Sequence, residues 1–233
     1  MNWTRFVQVT LKLLIATLIY LYLSKTYSKL LSVGAVFAVW FLFRTLVRAT
    51  SKTLKIDYKC ECGKVQGHIK LIKEDSFLLD CYCEDCRNYA IWLTKQGKNV
   101  KSILDEFGGS NLLQICKTDF SINEESRKYI SLSKKDENSN FFRYYSSCCQ
   151  TPIYQCLKPI GLGTVFVKTL DQSKISSLGH EACQLNFDSL SKKPKIKAEM
   201  FLPDLLEKIA RYQWYSNINP FKFDGKTEFW GSK

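Results

Sequence analysis

The sequence predicts a mainly β domain, and three observations lead to this class. Seven of the ten cysteines fall into three tight clusters along the chain. From about residue 57 onward, short β-rich stretches alternate with turn residues. Helical periodicity is scarce in the same part of the chain. Together these features predict small sheets pinned by bound metal. A C-terminal helix, and one or two transmembrane helices in front of the domain, are predicted from other parts of the sequence.

The N-terminal residues differ in composition from the rest of the chain. Residues 1–56 contain eight Lys or Arg and no Asp or Glu, which leaves a net charge of only +4 out of +12 for the remainder. Two apolar runs lie in this part, at residues 9–23 and 30–43. A membrane span needs about 20 apolar residues, and each run reaches that length if its Lys and Arg side chains extend to the interface. Residues 1–50 are therefore predicted to be a membrane anchor, a helical hairpin that contacts lipid over residues 6–47.

The charges around the two runs predict the orientation of this anchor. Basic residues outside the hairpin turn outnumber the two lysines within it, so both termini and the globular domain are expected on the cytoplasmic side. One span with an amphipathic lead-in is an alternative, and so is a cleaved targeting segment of a protein imported into an organelle or placed in its membrane. The nearly balanced charge of the remainder argues against a nucleic-acid partner.

Residues 51–190 are predicted to form the globular domain. Eight stretches have the composition of β-strands: residues 58–62, 65–72, 76–81, 90–94, 112–116, 129–132, 141–145 and 164–167. Residues 191–233 are predicted to contain a solvated linker and then a helix over about 203–214. Its apolar stripe is expected to pack against the β domain, and consists of Leu202, Leu205, Leu206, Ile209 and Tyr212.

The cysteine clusters favour thiolate–metal chemistry. They read Cys60-x-Cys62-Gly63, Cys81-x-Cys83-x-x-Cys86 and Cys148-Cys149. Such spacing suits zinc, which needs several sulfur ligands at about 2.3 Å in a tetrahedral array. Metal-binding thiols also indicate a reducing compartment. The glycine after the first cluster lets the chain turn so that backbone amides point at a sulfur. Buried small hydrophobes and a redox dithiol in the second cluster are the alternatives.

The second cluster has the spacing of a catalytic site. Three thiolates within six residues can occupy three corners of a tetrahedron and leave the fourth to water, substrate or a remote residue. Arg87, which follows directly, is a candidate for offsetting the thiolate charge or holding an anionic substrate, and the alternative is a lone surface arginine. Cys116, Cys156 and Cys183 are isolated and predicted to be core residues. Both histidines of the chain lie outside the clusters, so histidine ligation is not expected.

An ordered series of motifs carries a resemblance to a known family. The motifs are Cys60-Glu61-Cys62-Gly63-Lys64-Val65-x-Gly67, Cys81-Tyr82-Cys83-Glu84-Asp85-Cys86-Arg87, Gly108-Gly109-Ser110, and Phe142-Arg143-Tyr144-Tyr145 followed by Cys149-Gln150-Thr151-Pro152. Over residues 57–170 the chain resembles the glutathione-dependent formaldehyde-activating enzymes. That family has the Mss4-like β-tent fold and includes the centromere protein V branch.

The resemblance implies two zinc sites with different roles. Cys60 and Cys62 with Cys149, and here Cys148, would hold a structural zinc. The other site, formed by Cys81, Cys83 and Cys86, would hold the zinc that is linked with catalysis. The implied activity is that of a carbon–sulfur lyase on a thiol adduct such as that of glutathione and formaldehyde. The alternative is a non-catalytic zinc module that binds a protein at a membrane surface.

The chain departs from the family pattern at three positions. Ser146 stands where the family has the first cysteine of the last motif, and Gln150 stands where it has a glycine. Cys148 is then expected to supply the missing thiolate, although two neighbouring cysteines can bind one ion only if the backbone there is contorted. The resulting Cys-Cys-x-Thr-Pro arrangement resembles that of a distinct branch of these proteins. Tyr82 replaces the histidine commonly found in the middle cluster.

Overall fold

The fold of this protein is given by a computed structural model that describes residues 39, 42, 46, 50–73, 76–96, 103–178, 183–185, 208–210, 212–215, 221 and 226–231. The chain divides into two compact units, Met1–Ser51 and Lys52–Lys233. Nearly all of the predicted anchor lies outside the described residues, as do the predicted linker, His180, the side chain of Cys183 and the start of the predicted C-terminal helix. Within the described part, no helix is long and apolar enough to cross a membrane.

The second unit is built from β-strands, which confirms the mainly β class. Its strands are β1 (Thr53–Lys59), β2 (Gln66–Ile72), β3 (Phe77–Cys81), β4 (Ser110–Cys116), β5 (Phe120–Ile122), β6 (Ile130–Lys134), β7 (Phe141–Ser146), β8 (Pro152–Leu157), β9 (Leu162–Phe166), β10 (Cys183–Leu185) and β11 (Thr227–Phe229). One sheet has the order β1-β2-β5 and the other the order β10-β3-β4-β9-β8-β7-β6-β11. All pairings are antiparallel except those of β10 with β3 and of β11 with β6.

Two α-helices are described in full, α1 (Glu84–Gln96) and α2 (Gln172–Ser177). The strand predicted over residues 90–94 is wrong, because these residues belong to α1. Cys86, Ala90 and Leu93 recur at helical spacing and are buried. The acidic residues of the first turn and a lysine in the last turn suit the helix dipole. The residue composition of the stretch favours a strand, but its apolar spacing is helical.

The remaining predicted strands are present with shifted ends, and four strands escaped prediction. The burial of β8 explains one omission, since it lies between β7 and β9 and five of its six residues are buried. A strand covered on both faces lacks the alternation that marks a half-buried one. The other three, β5, β10 and β11, are three residues long and exist through pairing with distant strands.

The hydrophobic core consists of separate clusters of buried side chains, and each cluster contains at least one cysteine. The larger cluster contains Cys60 and lies against both sheets, and a second cluster beneath α1 contains Cys81 and Cys86. Cys116 and Cys156 are buried, as predicted. At the C-terminal end, residues 208–210 and 212 are helical. From the predicted stripe, Ile209 and Tyr212 pack in a third cluster with Cys116.

Candidate metal centres

The fold brings Cys60, Cys62, Cys148 and Cys149 together, and we call them the four-cysteine group. Their sulfur atoms all lie within 4.8 Å of one another. The sulfur of Cys62 is 3.2 Å from that of Cys148 and 3.6 Å from that of Cys60. Four sulfurs bound to one zinc at about 2.3 Å stand about 3.8 Å apart in a tetrahedron. The four-cysteine group can therefore hold a metal ion, and its donor set fits zinc.

The turn between β1 and β2 places Cys60. Gly63 has a φ of +77°, the left-handed conformation that glycine adopts without strain. The chain then folds back so that the amide of Val65 donates to the Cys60 sulfur at 3.2 Å, while the amide of Cys60 donates to the Val65 carbonyl at 2.9 Å. The predicted role of the glycine is confirmed, and the amide that reaches the sulfur belongs to Val65.

The turn between β7 and β8 places the vicinal pair. The amide of Gln150 donates to the Ser146 carbonyl at 2.8 Å, and Gln150 has a φ of 53°. This is the contorted backbone that the vicinal pair requires, and it falls where the related motif has glycine. The Ser146 hydroxyl lies 3.2 Å from the Cys149 sulfur. Ser146, which stands where the resembled motif has a cysteine, thus contacts a sulfur of the four-cysteine group, and Cys148 provides the fourth sulfur.

Replacing Gln150 by glycine is expected to raise the free energy of unfolding by up to about 1 kcal/mol. Left-handed backbone costs a non-glycine residue about 1–2 kcal/mol, which exceeds the roughly 0.5–1 kcal/mol of extra chain entropy that glycine loses on folding. Gln150→Val should be less stable than the wild type, because a β-branched side chain tolerates this conformation poorly. The denaturant midpoints of the metal-loaded proteins measure this order of stability, in which the glycine variant is the most stable and the valine variant the least. A glycine variant that is less stable than the valine variant would contradict the prediction.

Hydrogen bonds and burial act differently on the thiols of the four-cysteine group. Burial raises the pKa of Cys60 and that of Cys148. Burial also raises the pKa of Cys149, but hydrogen bonds from the hydroxyls of Ser146 and Thr151 outweigh it and bring that pKa to about 6. A bound cation replaces these thiol protons, so metal binding by this group releases protons.

The second group, Cys81, Cys83 and Cys86, is also assembled, and we call it the three-cysteine group. Its three sulfurs lie within 4.8 Å of one another, and those of Cys81 and Cys86 are 3.6 Å apart. Cys81 ends β3, Cys83 directly precedes α1, and Cys86 lies in the first turn of that helix. Cys81 and Cys86 are buried, whereas Cys83 is partly exposed. Three sulfurs leave a fourth corner open on a bound ion.

The N-terminus of α1 favours a thiolate at Cys83. The amide of Cys86 donates to the Cys83 sulfur at 3.3 Å, so Cys83 accepts the hydrogen bond that an N-cap side chain accepts. The helix N-terminus carries a partial positive charge, which also favours an anion there. Hydrogen bonds with Cys81 and Cys86 lower the pKa of Cys83 to about 2. This helix, absent from the sequence prediction, is what places the three-cysteine group.

The arginine that faces the three-cysteine group is Arg143. Its Nη2 lies 4.0 Å from the Cys86 sulfur, and the residue is only 2% exposed. Arg87, the arginine singled out from the sequence, donates to the carbonyl of Tyr82 at 2.8 Å, and its predicted role in substrate binding stays a prediction. Sequence reasoning assigned no role to Arg143. The sequence did offer one signal for its role, since Arg143 is a charged residue within a predicted strand of mostly aromatic residues. An arginine buried in such a strand is rare unless it is paired with an anion.

Tyr82 serves as a structural anchor. Its hydroxyl donates to Asp105 Oδ2 at 3.1 Å, and Oδ1 of the same carboxylate accepts the amides of Phe107 and Gly109 at 2.8 Å. A side chain at position 109 would overlap the tyrosine ring. Burial raises the pKa of Tyr82, so the phenol stays a neutral donor. Tyr82, which stands where the motif that the chain resembles has a histidine, is therefore engaged in packing.

The carboxylates next to the three-cysteine group have partners of their own. Asp85 pairs with Lys135 at 2.9 Å, and Glu84 accepts from Asn88 at 3.4 Å. Both acids lie in the first turn of α1, where negative charge suits the helix dipole. In the part of the chain that the structure describes, the side-chain groups able to hold a metal consist of cysteine alone.

These features define a class: a mainly β, cysteine-rich domain with two separate thiol groups that can each hold a metal ion. Residues 51–193 match a family of unknown function, DUF6151, and the chain belongs to this family. A comparison with curated proteins finds no match. The matched region contains all seven clustered cysteines and Arg143, whereas β11 and Trp230 lie beyond it.

Proposed function

We propose that this protein is a membrane-anchored zinc protein of the formaldehyde-activating type, and that its three-cysteine group takes part in making or breaking a carbon–sulfur bond. The observation that carries the proposal is the pairing of a complete four-sulfur group with a three-sulfur group. Four protein ligands are typical of structural zinc, and three ligands with an open position are typical of catalytic zinc. The resemblance of the motifs supports the same division and the Mss4-like fold.

The two groups would have different tasks. The four-cysteine group connects the β1–β2 turn with the β7–β8 turn, so that zinc there would hold the larger core cluster together. The three-cysteine group lies at the end of β3, where partly exposed Cys83 is the most accessible of its sulfurs. Zinc bound to this group would polarise an aldehyde oxygen or keep a sulfur as thiolate.

The reaction is an addition and needs no oxidant or reductant. In the forward direction a thiol adds to formaldehyde, a sulfur–carbon bond forms, the carbonyl π bond breaks, and the thiol proton ends on the oxygen. In the reverse direction the sulfur–carbon bond breaks, the carbonyl π bond forms again, and the hydroxyl proton returns to the sulfur. The positive end of α1 and the Arg143 guanidinium both favour the anionic sulfur at this place.

Exchange NMR on glutathione and formaldehyde tests the proposed activity. The zinc-loaded full chain should accelerate interconversion of the free thiol and its hydroxymethyl adduct, and Cys83→Ser should abolish the acceleration. Cys156→Ser, which changes a buried cysteine outside both groups, is the matched control and should behave as the wild type. A wild-type chain that carries two zinc ions but neither binds nor converts the adduct would contradict the lyase function.

A non-catalytic zinc module for protein binding is the second candidate. The observation in its favour is the environment of the three-cysteine group, where Tyr82 stands in place of histidine and Asp85 is held by Lys135. Neither residue is arranged to move a proton. For this function, both zinc ions would serve the fold, and the full chain would bind zinc without any affinity for a thiol adduct.

Anchoring through residues 6–47 with the β domain in the cytoplasm is part of the proposal. It rests on the two apolar runs and on the distribution of basic residues around them. Reduced thiols, which zinc binding requires, agree with that side of the membrane. Release of the full chain from membranes by an alkaline wash would contradict the anchoring.

A further inference from the structure

Arg143 is a buried charge next to the sulfurs of the three-cysteine group. The residue is 2% exposed, and the ion pairs formed between described residues do not include it. Its Nη2 approaches the Cys86 sulfur to 4.0 Å, and its buried Nε has no hydrogen-bond partner within the described structure. A buried guanidinium without a carboxylate is unfavourable unless another anion balances it. A thiolate of the three-cysteine group, whose Cys86 sulfur the guanidinium contacts, is in position to do so.

Three aromatic rings hold the guanidinium in this position. Its central carbon lies 4.5 Å from the ring centre of Tyr89, 5.0 Å from that of Phe141 and 5.1 Å from that of Trp230. These rings come from α1, from β7 itself and from the residue after β11. The amide of Trp230 donates to the carbonyl of Lys134 at 3.0 Å, which ties the C-terminal segment to β6. Cation–π contacts of this kind fix a cation without neutralising it.

The charge of the site affects how strongly an anionic ligand binds at its open corner. A zinc ion with three thiolates carries a charge of −1, and an added thiolate would bring it to −2. When the charge of the Arg143 guanidinium is included, the complex with an added thiolate has a total charge of −1. The complex with a neutral fourth ligand then has a total charge of zero. Removing the guanidinium penalises an anionic ligand and leaves a neutral one nearly unaffected.

We propose that Arg143 is a positioning residue that strengthens the binding of an anionic sulfur ligand, relative to a neutral one, at the open corner of the three-cysteine group. The proposal rests on the proposed function, because it presupposes a metal ion in the three-cysteine group. It identifies the substrate class as a compound that enters as a thiolate. Arg143 acts through the charge it holds next to Cys86.

Cobalt replaces zinc in the test, since its absorption reports the ligands of a tetrahedral thiolate site. The full chain is loaded with cobalt and titrated at one pH with 2-mercaptoethanol as the anionic ligand and with imidazole as the neutral one. We expect Arg143→Met to weaken thiol binding on the order of tenfold relative to imidazole binding. Arg143→Lys should keep the wild-type preference. Arg127→Met, which removes an arginine paired with Glu124 at 2.7 Å, is the matched control and should also keep it.

Each other outcome overturns a distinct claim. If Arg143→Met weakens the binding of both ligands equally, or weakens the binding of neither, the result would show that Arg143 only supports the fold. If Arg143→Met does not fold, Arg143→Gln is titrated in its place. If both neutral variants fail to load cobalt at the three-cysteine group while Arg143→Lys loads it, the charge is needed for metal binding itself, and the selectivity proposal is wrong. A wild-type chain without cobalt at the three-cysteine group would overturn the proposed function and this inference together.

Discussion

Replacing Cys60 by serine is expected to abolish cooperative unfolding of the β domain. Its sulfur belongs to the four-cysteine group, and the residue is 1% exposed within the larger core cluster. Structural zinc contributes about 10–16 kcal/mol in small zinc domains, whereas a whole domain is stable by only about 5–15 kcal/mol. Thermal unfolding followed by near-UV circular dichroism measures the effect, and a strong chelator should reproduce it in the wild type.

Cys156→Ser is the control for this experiment. Cys156 is 6% exposed in the same core cluster but lies outside both thiol groups. Burying its hydroxyl should cost about 1–3 kcal/mol and leave a cooperative transition. If the Cys60 and Cys156 variants lose the same amount of stability, the four-cysteine group does not hold the fold together.

Replacing Cys83 by serine is expected to lower the metal content from about two ions per chain to about one while the fold is retained. Cys83 is partly exposed, and α1 is also held by buried Cys86, Tyr89 and Leu93. Two remaining thiolates bind zinc far more weakly than three. Elemental analysis of the full chain, purified under reducing conditions, with titration of free thiols measures the change.

The matched control for metal content is Cys116→Ser, since Cys116 is a buried cysteine outside both groups. It should retain about two ions. An unfolded Cys83 variant would assign a structural role to the ion of the three-cysteine group, which favours the binding module over the lyase. A folded variant with an undiminished content of about two zinc ions would contradict the claim that Cys83 is needed to hold the second ion.

The sequence was informative about the thiol groups because their geometry is largely local. A spacing of one or two residues keeps sulfurs within reach of one another in almost any compact turn. Cys60 and Cys62 follow this rule, as do Cys81, Cys83 and Cys86, and the structure brings each set together. The positions at which the chain departs from the motif that it resembles could also be identified from the sequence alone. Gln150 stands where the formaldehyde-activating motif that the chain resembles has glycine, and it has the left-handed backbone that glycine adopts without strain.

Elements whose form depends on distant partners were predicted less well. Residues 90–94 favour a strand by composition, yet they belong to α1. The buried side chains of this helix are part of the second core cluster, and this packing favours the helix. Short β11 exists only through its parallel pairing with β6. Its position brings Trp230 against Arg143, and the local sequence of either residue does not reveal this contact.

The sequence by itself determined the mainly β class and the local sets of thiols, since strand composition and ligand spacing are properties of short stretches. That Cys148 and Cys149 join Cys60 and Cys62 was implied by the resemblance to the formaldehyde-activating enzymes, and the fold brings the four sulfurs together. Only the tertiary structure decided how the three-cysteine group is surrounded. It placed Cys83 at the start of a helix and Arg143 beside Cys86, and it directed Tyr82 to Asp105. Burial and charge pairing depend on which side chains the completed fold brings together. The charge of the site is therefore a property of the folded chain.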